Sequence, residues 1–327
     1  MPSSHTNKTR LVLTMGDPAG IGPEIIMRSL ANLSKERFAA FTVVGDGPVL
    51  MEAADRFFKG GEFEVVDPGG KLPGCVPGKP TQEGARKALA SIDEAVRILK
   101  RLDTPLKALV TAPVSKEMIA GVKPGFIGHT EHLMKAFSSA RVTMVLTGEH
   151  FSVVPVTRHI PLKEVANSLS GTDILETIAQ VVEGRMTISG KKDPRIGVAA
   201  LNPHGGEGGK IGREEIDVIS PAIEEARAMY PLIEGPVPAD IVFYKAMRKY
   251  YDIVIAMYHD QGLGPFKMVD FSSGVNMTLG LGCVRTSPDH GTAFDIAGKG
   301  MASSGSMEKA ILAAARAASP TYFGISR

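Results

Sequence analysis

The sequence predicts an α/β fold, and three observations carry the prediction. Short apolar runs rich in β-formers alternate with longer helical patterns. Several of the runs are apolar on both faces, as expected of a sheet covered by helices on each side. Three histidines, His159, His204 and His259, each follow such a run inside a Gly-, Pro- or Asp-rich segment. A side chain just past the carboxyl end of a strand is where open α/β sheets place their chemistry.

The runs read as strands are Leu11 to Met15, Phe41 to Gly45, Phe63 to Val66, Lys107 to Ala112, Val142 to Thr147, Phe151 to Val156, Ile196 to Leu201, Ile253 to Met257 and Val275 to Leu279. A helix is expected over Gln82 to Arg101 with Thr81 as N-cap, and another over Asp173 to Met186 capped by Thr172. A third spans Arg213 to Met229, where Pro221 must kink or split it. The last, Met307 to Ala317, is capped by Ser304 or Ser306. Pro68 to Pro80 is rich in Gly and Pro and reads as a surface loop. Two groups of strands in 327 residues point to two subdomains with a cleft between them.

Composition narrows the function. Net charge is 37 − 35 = +2, so no basic surface argues for nucleic acid. The two cysteines, Cys75 and Cys283, make neither a disulfide framework nor a metal-type pair, which suits a reducing cytoplasm. The first residues lack the apolar stretch of a signal peptide, and no run approaches 18 apolar residues. The expectation is a soluble cytoplasmic protein.

Imidazole is the commonest protein ligand for a divalent metal, and three with an open position make a catalytic site. His159, His204 and His259 are therefore candidate metal ligands. The segment Thr14 to Ile25, TMGDPAGIGPEI, runs from a strand through a glycine-rich turn into a helix opened by Pro23 and Glu24. It lacks the G-x-G-x-x-G fingerprint of dinucleotide binding. Asp17 is its residue of interest. Ser115 and Lys116 stand where a strand turns into a helix and suit an anion, or Lys116 is a solvated cap. His129 and Thr130 in GHTEHL suit a phosphate or carboxylate at a helix start, with Thr130 the alternative N-cap. Glu207, Glu214 and Glu215 read as helix-start acids. Asp240, in a first helical turn, becomes a candidate for metal support or base beside three histidines. Lys267 can move protons near neutral pH if it lies by a metal-bound hydroxyl, a solvated loop lysine being the alternative. Asn276 is a further polar candidate, and Arg285 offers a planar fork for a carboxylate or phosphate, a plain surface ion pair being the alternative.

The segments GDPAGIGPE, GHTE, NPHGGEGG, AMYHDQG and RTSPDHGTAFDIAGKG, in this order, resemble the 4-hydroxythreonine-4-phosphate dehydrogenase family, over Leu11 to about Ala318. The last also resembles the HGSAPDIAGKG loop of isopropylmalate dehydrogenases, which binds the adenosine part of NAD. The resemblance implies a two-subdomain α/β/α sandwich of the isocitrate/isopropylmalate dehydrogenase-like type, acting as one catalytic unit, with the active site in the inter-subdomain cleft. Approximate subdomains are 1–125 plus 283–327, and 126–282. It implies His159, His204 and His259 as ligands of one divalent metal (zinc, magnesium or cobalt), in a set completed across a homodimer interface. His129, Thr130, Lys116, Lys267, Asn276 and Arg285 would contact substrate. NAD or NADP would lie near His290, Gly291, Thr292, Ala293 and Asp295. Lys267 or Asp240 would serve as base in oxidation and decarboxylation of 4-phosphohydroxy-L-threonine to 3-amino-2-oxopropyl phosphate, a step toward pyridoxal 5'-phosphate. One departure stands out: Thr111-Ala112-Pro113-Val114-Ser115-Lys116 has no histidine before the lysine, and this form also occurs in a relative acting on threonate or erythronate 4-phosphate. That makes a catabolic dehydrogenase of the same mechanism the first alternative. A metal-dependent hydrolase is more distant and would not need a cofactor at His290 to Gly300. A phosphotransacetylase-like acyltransferase would need neither NAD nor the histidines, and a non-catalytic module would leave both unexplained.

Overall fold

The structure, a computed structural model, describes residues 8–33, 38–70, 72–271 and 273–319. Of the N-terminal segment read for a signal, positions 1–7 lie outside the described residues. Two compact units emerge. The first runs to Val142 and resumes at Gly280; the second is Thr143–Leu279.

The first unit lays down β1 (Thr9–Thr14), α1 (Gly22–Leu33), β2 (Ala39–Val44), α2 (Gly47–Phe57), β3 (Glu64–Val66), α3 (Gln82–Arg101), β4 (Lys107–Thr111), α4 (Lys116–Val122) and α5 (His129–Phe137). The second unit follows with β5 (Thr143–Thr147), β6 (Ser152–Pro155), α6 (Val165–Ser168), α7 (Gly171–Ser189), β7 (Ile196–Ala199), α8 (Ser220–Met229), β8 (Ile233–Val237), α9 (Ala239–Met247), β9 (Ile253–Ala256), α10 (His259–Asp270) and β10 (Val275–Leu279). The chain then returns to the first unit with β11 (Val284–Pro288) and α11 (Gly305–Ala318).

In the first unit the strand order is β3-β2-β1-β4-β11, all parallel. Leu11, Val12 and Leu13 in succession are buried, so both faces of β1 are covered and the strand has no polar side to alternate. On one face Val12 and Leu109 pack with Ile92, Val96 and Leu99 of α3 and Leu133 of α5. Thr81 caps α3 as expected, its hydroxyl accepting from Gly84 N at 3.0 Å. The loop after β3 is tied down by Lys87, a buried lysine of α3. Its Nζ lies 2.7 Å from Asp67 Oδ1 and 3.2 Å from Asp46 Oδ2 and also donates to the Gly69 and Gly70 carbonyls, so the buried charge is fully met.

In the second unit the order is β10-β5-β6-β9-β7-β8. β10 and β6 flank β5 antiparallel, whereas β6, β9, β7 and β8 are parallel. Leu146, Phe151, Val153, Tyr251, Val254 and Phe266 form the core under α9 and α10.

Several expectations are corrected. β8 and β11 were not read as strands. β8 contains Gly235-Pro236, and three of the five residues of β11 are Arg, Thr and Ser. The N-cap of α7 is Ser170, whose hydroxyl accepts from Asp173 N at 3.0 Å, not Thr172. Pro221 does split its pattern: a π-helical turn, Glu215–Ile219, precedes α8, where the proline occupies the first turn and needs no N–H partner. Ser304 precedes α11 but makes no side-chain cap bond; its hydroxyl donates to Glu308 instead. Lys267 lies inside α10 rather than in a loop. Among the described residues no helix is long and apolar enough to cross a membrane.

Candidate active site: an anion pocket and paired histidines

In the first unit the site grows from the turns after parallel strands. Beyond β1 the chain bends at Gly16, with φ 77°; a Cβ there would lie 2.3 Å from the Pro113 carbonyl, so only glycine fits. Asp17 N donates to that carbonyl at 2.9 Å, joining the turn after β1 to the one after β4. The Asp17 carboxylate is buried and accepts from Ala19 N at 3.0 Å. Burial pushes its pKa up, and the Ala19 bond acts against that. The residue is a keystone of the turn.

The final motif docks on the same turn. Ile21 N donates to Thr292 O at 3.0 Å and Gly78 N to Ala19 O at 2.8 Å. His290, Gly291 and Asp295 are exposed, and Thr292 and Ala293 half-buried. Beside this junction opens a pocket walled by Pro18, Pro23, Ala53, Phe57 and Pro77, with Glu52 and Arg56 also in its lining. Glu24 reaches it from α1. Its Oε1 accepts from Arg28 Nε and Ala302 N, while its buried Oε2 has no hydrogen-bond partner among the described residues. A pocket that joins apolar walls to Arg56 and an unmet acceptor, next to an exposed loop with a carboxylate for ribose hydroxyls, suits a nucleotide cofactor.

On the other turns stands an anion pocket. His129 opens α5, and Gly128, not Thr130, is the N-cap, with no side chain serving as cap. Burial, reinforced by the charges of Arg285, His132 and Lys116, holds the His129 imidazole well below its usual pKa, so the ring is neutral. Its Nε2 is buried without a hydrogen-bond partner among the described residues. Arg285, on β11, is buried too and is no surface ion pair. Its Nε and Nη2 donate to the Thr111 hydroxyl at 3.0 and 2.6 Å, and burial brings its pKa down to about 10. Ser115 caps α4, accepting from Met118 N at 3.2 Å, so Lys116 is not itself a cap. A Cβ placed on Gly128 would lie 3.3 Å from Lys116 Cε and 3.4 Å from Glu131 Oε2, which puts these charges at the mouth of α5. A desolvated guanidinium, a lysine and a helix start with free N–H groups favour a phosphate or carboxylate. Thr111, which orients Arg285, was missed in the sequence. Its signal is a hydroxyl as the last residue of a strand whose preceding positions are apolar.

In the second unit, parallel register assembles the histidines. Pro155 of β6 lies opposite Ala256 of β9, and Val156 N and Thr157 N continue the pairing to Ala256 O and Met257 O. His159 and His259, just beyond, therefore meet, with ring centroids 5.7 Å apart. Two imidazoles on one tetrahedral metal with N–metal distances of about 2.1 Å place their centroids roughly 5 Å apart, so the pair fits a shared ion. Asp260 Oδ1 lies 2.6 Å from His259 Nδ1.

His204 follows β7, the other neighbour of β9, but is not brought into the pair. Among the described residues no three His, Cys, Asp or Glu side chains come together as a metal set. His204 is exposed, and its Nδ1 lies 2.7 Å from Glu207 Oε1. That bond, with the charges of Glu207 and Asp240, raises its pKa. Asp240 stands in the first turn of α9, as expected, and is exposed.

The turn is held from beneath by Glu215, which is buried and is no mere helix-start acid. Its Oε1 accepts from Leu201 N at 2.9 Å and Asn202 N at 2.7 Å, and its Oε2 from Asn202 Nδ2 at 2.9 Å. Glu214 takes the same amide at 2.7 Å. Lys267, on α10, and Asn276, on β10, are half-buried; Asn276 Oδ1 is itself buried without a hydrogen-bond partner among the described residues.

Residues 17–314 match the family described as pyridoxal phosphate biosynthetic protein PdxA. The chain belongs to this family. It is 40% identical over 332 residues to the 4-hydroxythreonine-4-phosphate dehydrogenase of Desulforapulum autotrophicum, covering 96% of this chain and 97% of that one. It is 39% identical to the D-threonate 4-phosphate dehydrogenase of Cupriavidus necator, covering 91% and 94%. The crystal structure of 4-hydroxythreonine-4-phosphate dehydrogenase from Klebsiella pneumoniae superposes with a TM-score of 0.81 at 36% identity, over 95% of this chain and 100% of that one. At the level of fold alone, a β-decarboxylating dehydrogenase from Thermococcus kodakarensis matches with a TM-score of 0.52 at 18% identity, over 97% and 84%. The fold is thus that of the 4-hydroxythreonine-4-phosphate dehydrogenases and is shared with the Thermococcus kodakarensis protein, and the chemistry is a dehydrogenase's.

Proposed function

We propose that the chain, as a single catalytic unit, carries out the metal-dependent, NAD(P)-linked oxidation and decarboxylation of 4-phosphohydroxy-L-threonine to 3-amino-2-oxopropyl phosphate, in the cytoplasm. The observation that carries this reading is the pairing of His159 and His259 at 5.7 Å, at the ends of adjacent parallel strands. A redox enzyme that needed only NAD(P) would have no use for imidazoles there.

His159, His204 and His259 would hold a divalent ion, zinc, magnesium or cobalt, which would supply Lewis acidity at the substrate's hydroxyl oxygen, the oxygen that must be polarised for both oxidation and loss of carbon dioxide. His290, Gly291, Thr292, Ala293 and Asp295 would hold NAD or NADP, which would supply the hydride acceptor. The chain's own residues do the rest. Arg285, Lys116, Thr130 and the start of α5 bind the substrate's anionic group, and neutral His129 donates or accepts one hydrogen bond through Nε2. Asn276 orients the substrate through its unmet Oδ1. Lys267 or Asp240 takes the hydroxyl proton.

A second copy of this chain completes the metal set. Two supports stand behind this: the third histidine is apart in a single chain, and the end of α10 exposes Met268 (84%) and, at its C-cap, Phe271 (77%), large apolar side chains that a partner subunit would cover.

D-Threonate or D-erythronate 4-phosphate is the second reading. It is favoured by the similar identity to the Cupriavidus necator enzyme and by the segment Thr111–Lys116, which lacks a histidine. The deciding experiment is NAD(P) reduction by purified protein with zinc, magnesium or cobalt, offering 4-phosphohydroxy-L-threonine beside the two sugar-acid phosphates. Turnover of the amino acid, lost on chelation, is expected. Turnover of the sugar-acid phosphates alone moves the enzyme to catabolism. No reduction by metal-loaded protein with any of the three overturns this substrate reading and makes aromatic cis-dihydrodiols the next substrates to offer, with a hydrolase assay after them.

A further inference from the structure

We propose that Glu207 is a positioning residue for the metal: it holds His204 through Nδ1 and so presents Nε2 as the ligand, as Asp260 does for His259. This rests on the metal reading above.

The backbone carries the argument. From His204 to Gly208 five successive residues are wound left-handed, with His204 at φ 53°, ψ 25° and Glu207 at φ 45°, ψ 50°; Gly209 continues at φ 92°. Residues with a Cβ avoid this conformation. In 204–209 every residue is glycine except two, and those two touch: His204 Nδ1 and Glu207 Oε1 are 2.7 Å apart. A carboxylate can only accept, so Nδ1 carries the proton, and in the neutral imidazole that binds a metal Nε2 keeps its lone pair. A left-handed turn of about three residues brings position i+3 over position i, which no extended loop would do. The strain is tolerated where glycine was available, so something other than folding retains a side chain at 207.

Glu207 is not the anchor that ties the segment to the rest of the unit. The turn is anchored from the other side by Glu215, through Leu201 N, Asn202 N and Asn202 Nδ2. The same pairing recurs at His259 by a different backbone route. There Asp260 is the next residue, in the first turn of a right-handed helix, and again meets Nδ1, at 2.6 Å. Two imidazoles on neighbouring strands' ends, each with a carboxylate on the same ring nitrogen, form the arrangement that fixes ring orientation and raises ligand basicity at metal centres.

The test uses full-length protein stripped of metal and titrated with Zn²⁺ against a chelating indicator, for wild type, H204A, E207Q, E207D and E207G. Wild type binds and H204A does not. E207Q should bind roughly 10- to 100-fold more weakly, with E207D recovering part of the loss. E207G should raise the melting temperature of the metal-free protein, by relieving the left-handed strain, while weakening Zn²⁺ binding. A merely structural residue would not move stability and affinity in opposite directions. If E207Q and E207G bind Zn²⁺ as tightly as wild type while H204A fails, Glu207 has no such role and the inference is overturned. If H204A binds as wild type does, the metal reading itself falls, and this inference with it.

Discussion

His129 opens a helix and His204 follows a strand, and their surroundings make opposites of them. His129 is buried beside Arg285 and Lys116, and its pKa is driven down. His204 is exposed beside Glu207, and its pKa is raised. The first is kept neutral by desolvation and keeps an unmet nitrogen facing an anion pocket. The second is held by a carboxylate on a backbone that disfavours it. Burial selects the proton state in one case and a charged partner selects it in the other. The lesson is that residue type told little about role here; what packs around the ring decides.

The largest effect that sharpens this contrast is expected at Glu215. Replacing Glu215→Ala leaves Leu201 N and Asn202 N without their acceptor, at about 1–3 kcal/mol for each buried donor left unmet. Denaturant unfolding of the metal-free protein should show a loss of roughly 2–4 kcal/mol. An unchanged midpoint would mean that the His204 turn holds itself and that its strain is smaller than its dihedrals imply.

Next comes Arg285→Lys. An ammonium cannot make the two bonds to Thr111 and still offer a fork to a ligand. Loss of one charge-assisted bond, about 1.5–3 kcal/mol, corresponds to a KM raised roughly 10- to 100-fold. Steady-state kinetics that returned a wild-type KM would remove Arg285 from the substrate site and leave it a buried structural cation.

The smallest effect is a pH dependence. Below pH 6.5 an unfolded chain takes up a proton that folded His129 refuses, so its burial costs stability as pH falls from 6.5 toward the lowered folded value. Metal-free His129→Asn should lack this limb, which has a slope of up to about 1.4 kcal/mol per pH unit for one proton. His204 has the opposite sign: its raised pKa stabilises the fold below pH 6.5, and that support fades as pH rises through the folded value. Equal acid limbs in wild type and His129→Asn would show that His129 is hydrated in solution and break the contrast.

Much of the fold was legible. β10 has the expected bounds, since Val275, Met277 and Leu279 alternate with Asn276 and Thr278, and β4 and β9 differ from theirs by one residue, because their apolar runs leave a continuous signal. α3 matches from cap to end, since a threonine and a long amphipathic run agree. α10 was hidden by Gly262, Gly264 and Pro265, residues that read as a loop. Packing overrides them: a Cβ on Gly262 would lie 2.7 Å from Val153, so the helix approaches its sheet only through that glycine. β11 was hidden by its polarity. It is buried because Arg285 meets Thr111 and because the Thr286 hydroxyl donates to Ala310 O.

The sequence by itself determined the class of fold, the family and the strand-end histidines, because these depend on periodicity and on residues close along the chain. Tertiary structure alone decided which side chains meet. Parallel register brought His159 to His259. The return of the chain as β11 set Arg285 against Thr111, 174 residues away. A left-handed turn set Glu207 on His204. Each of these contacts, and the pKa shift that follows from it, depends on distance in space and on desolvation, neither of which has a signature in local sequence.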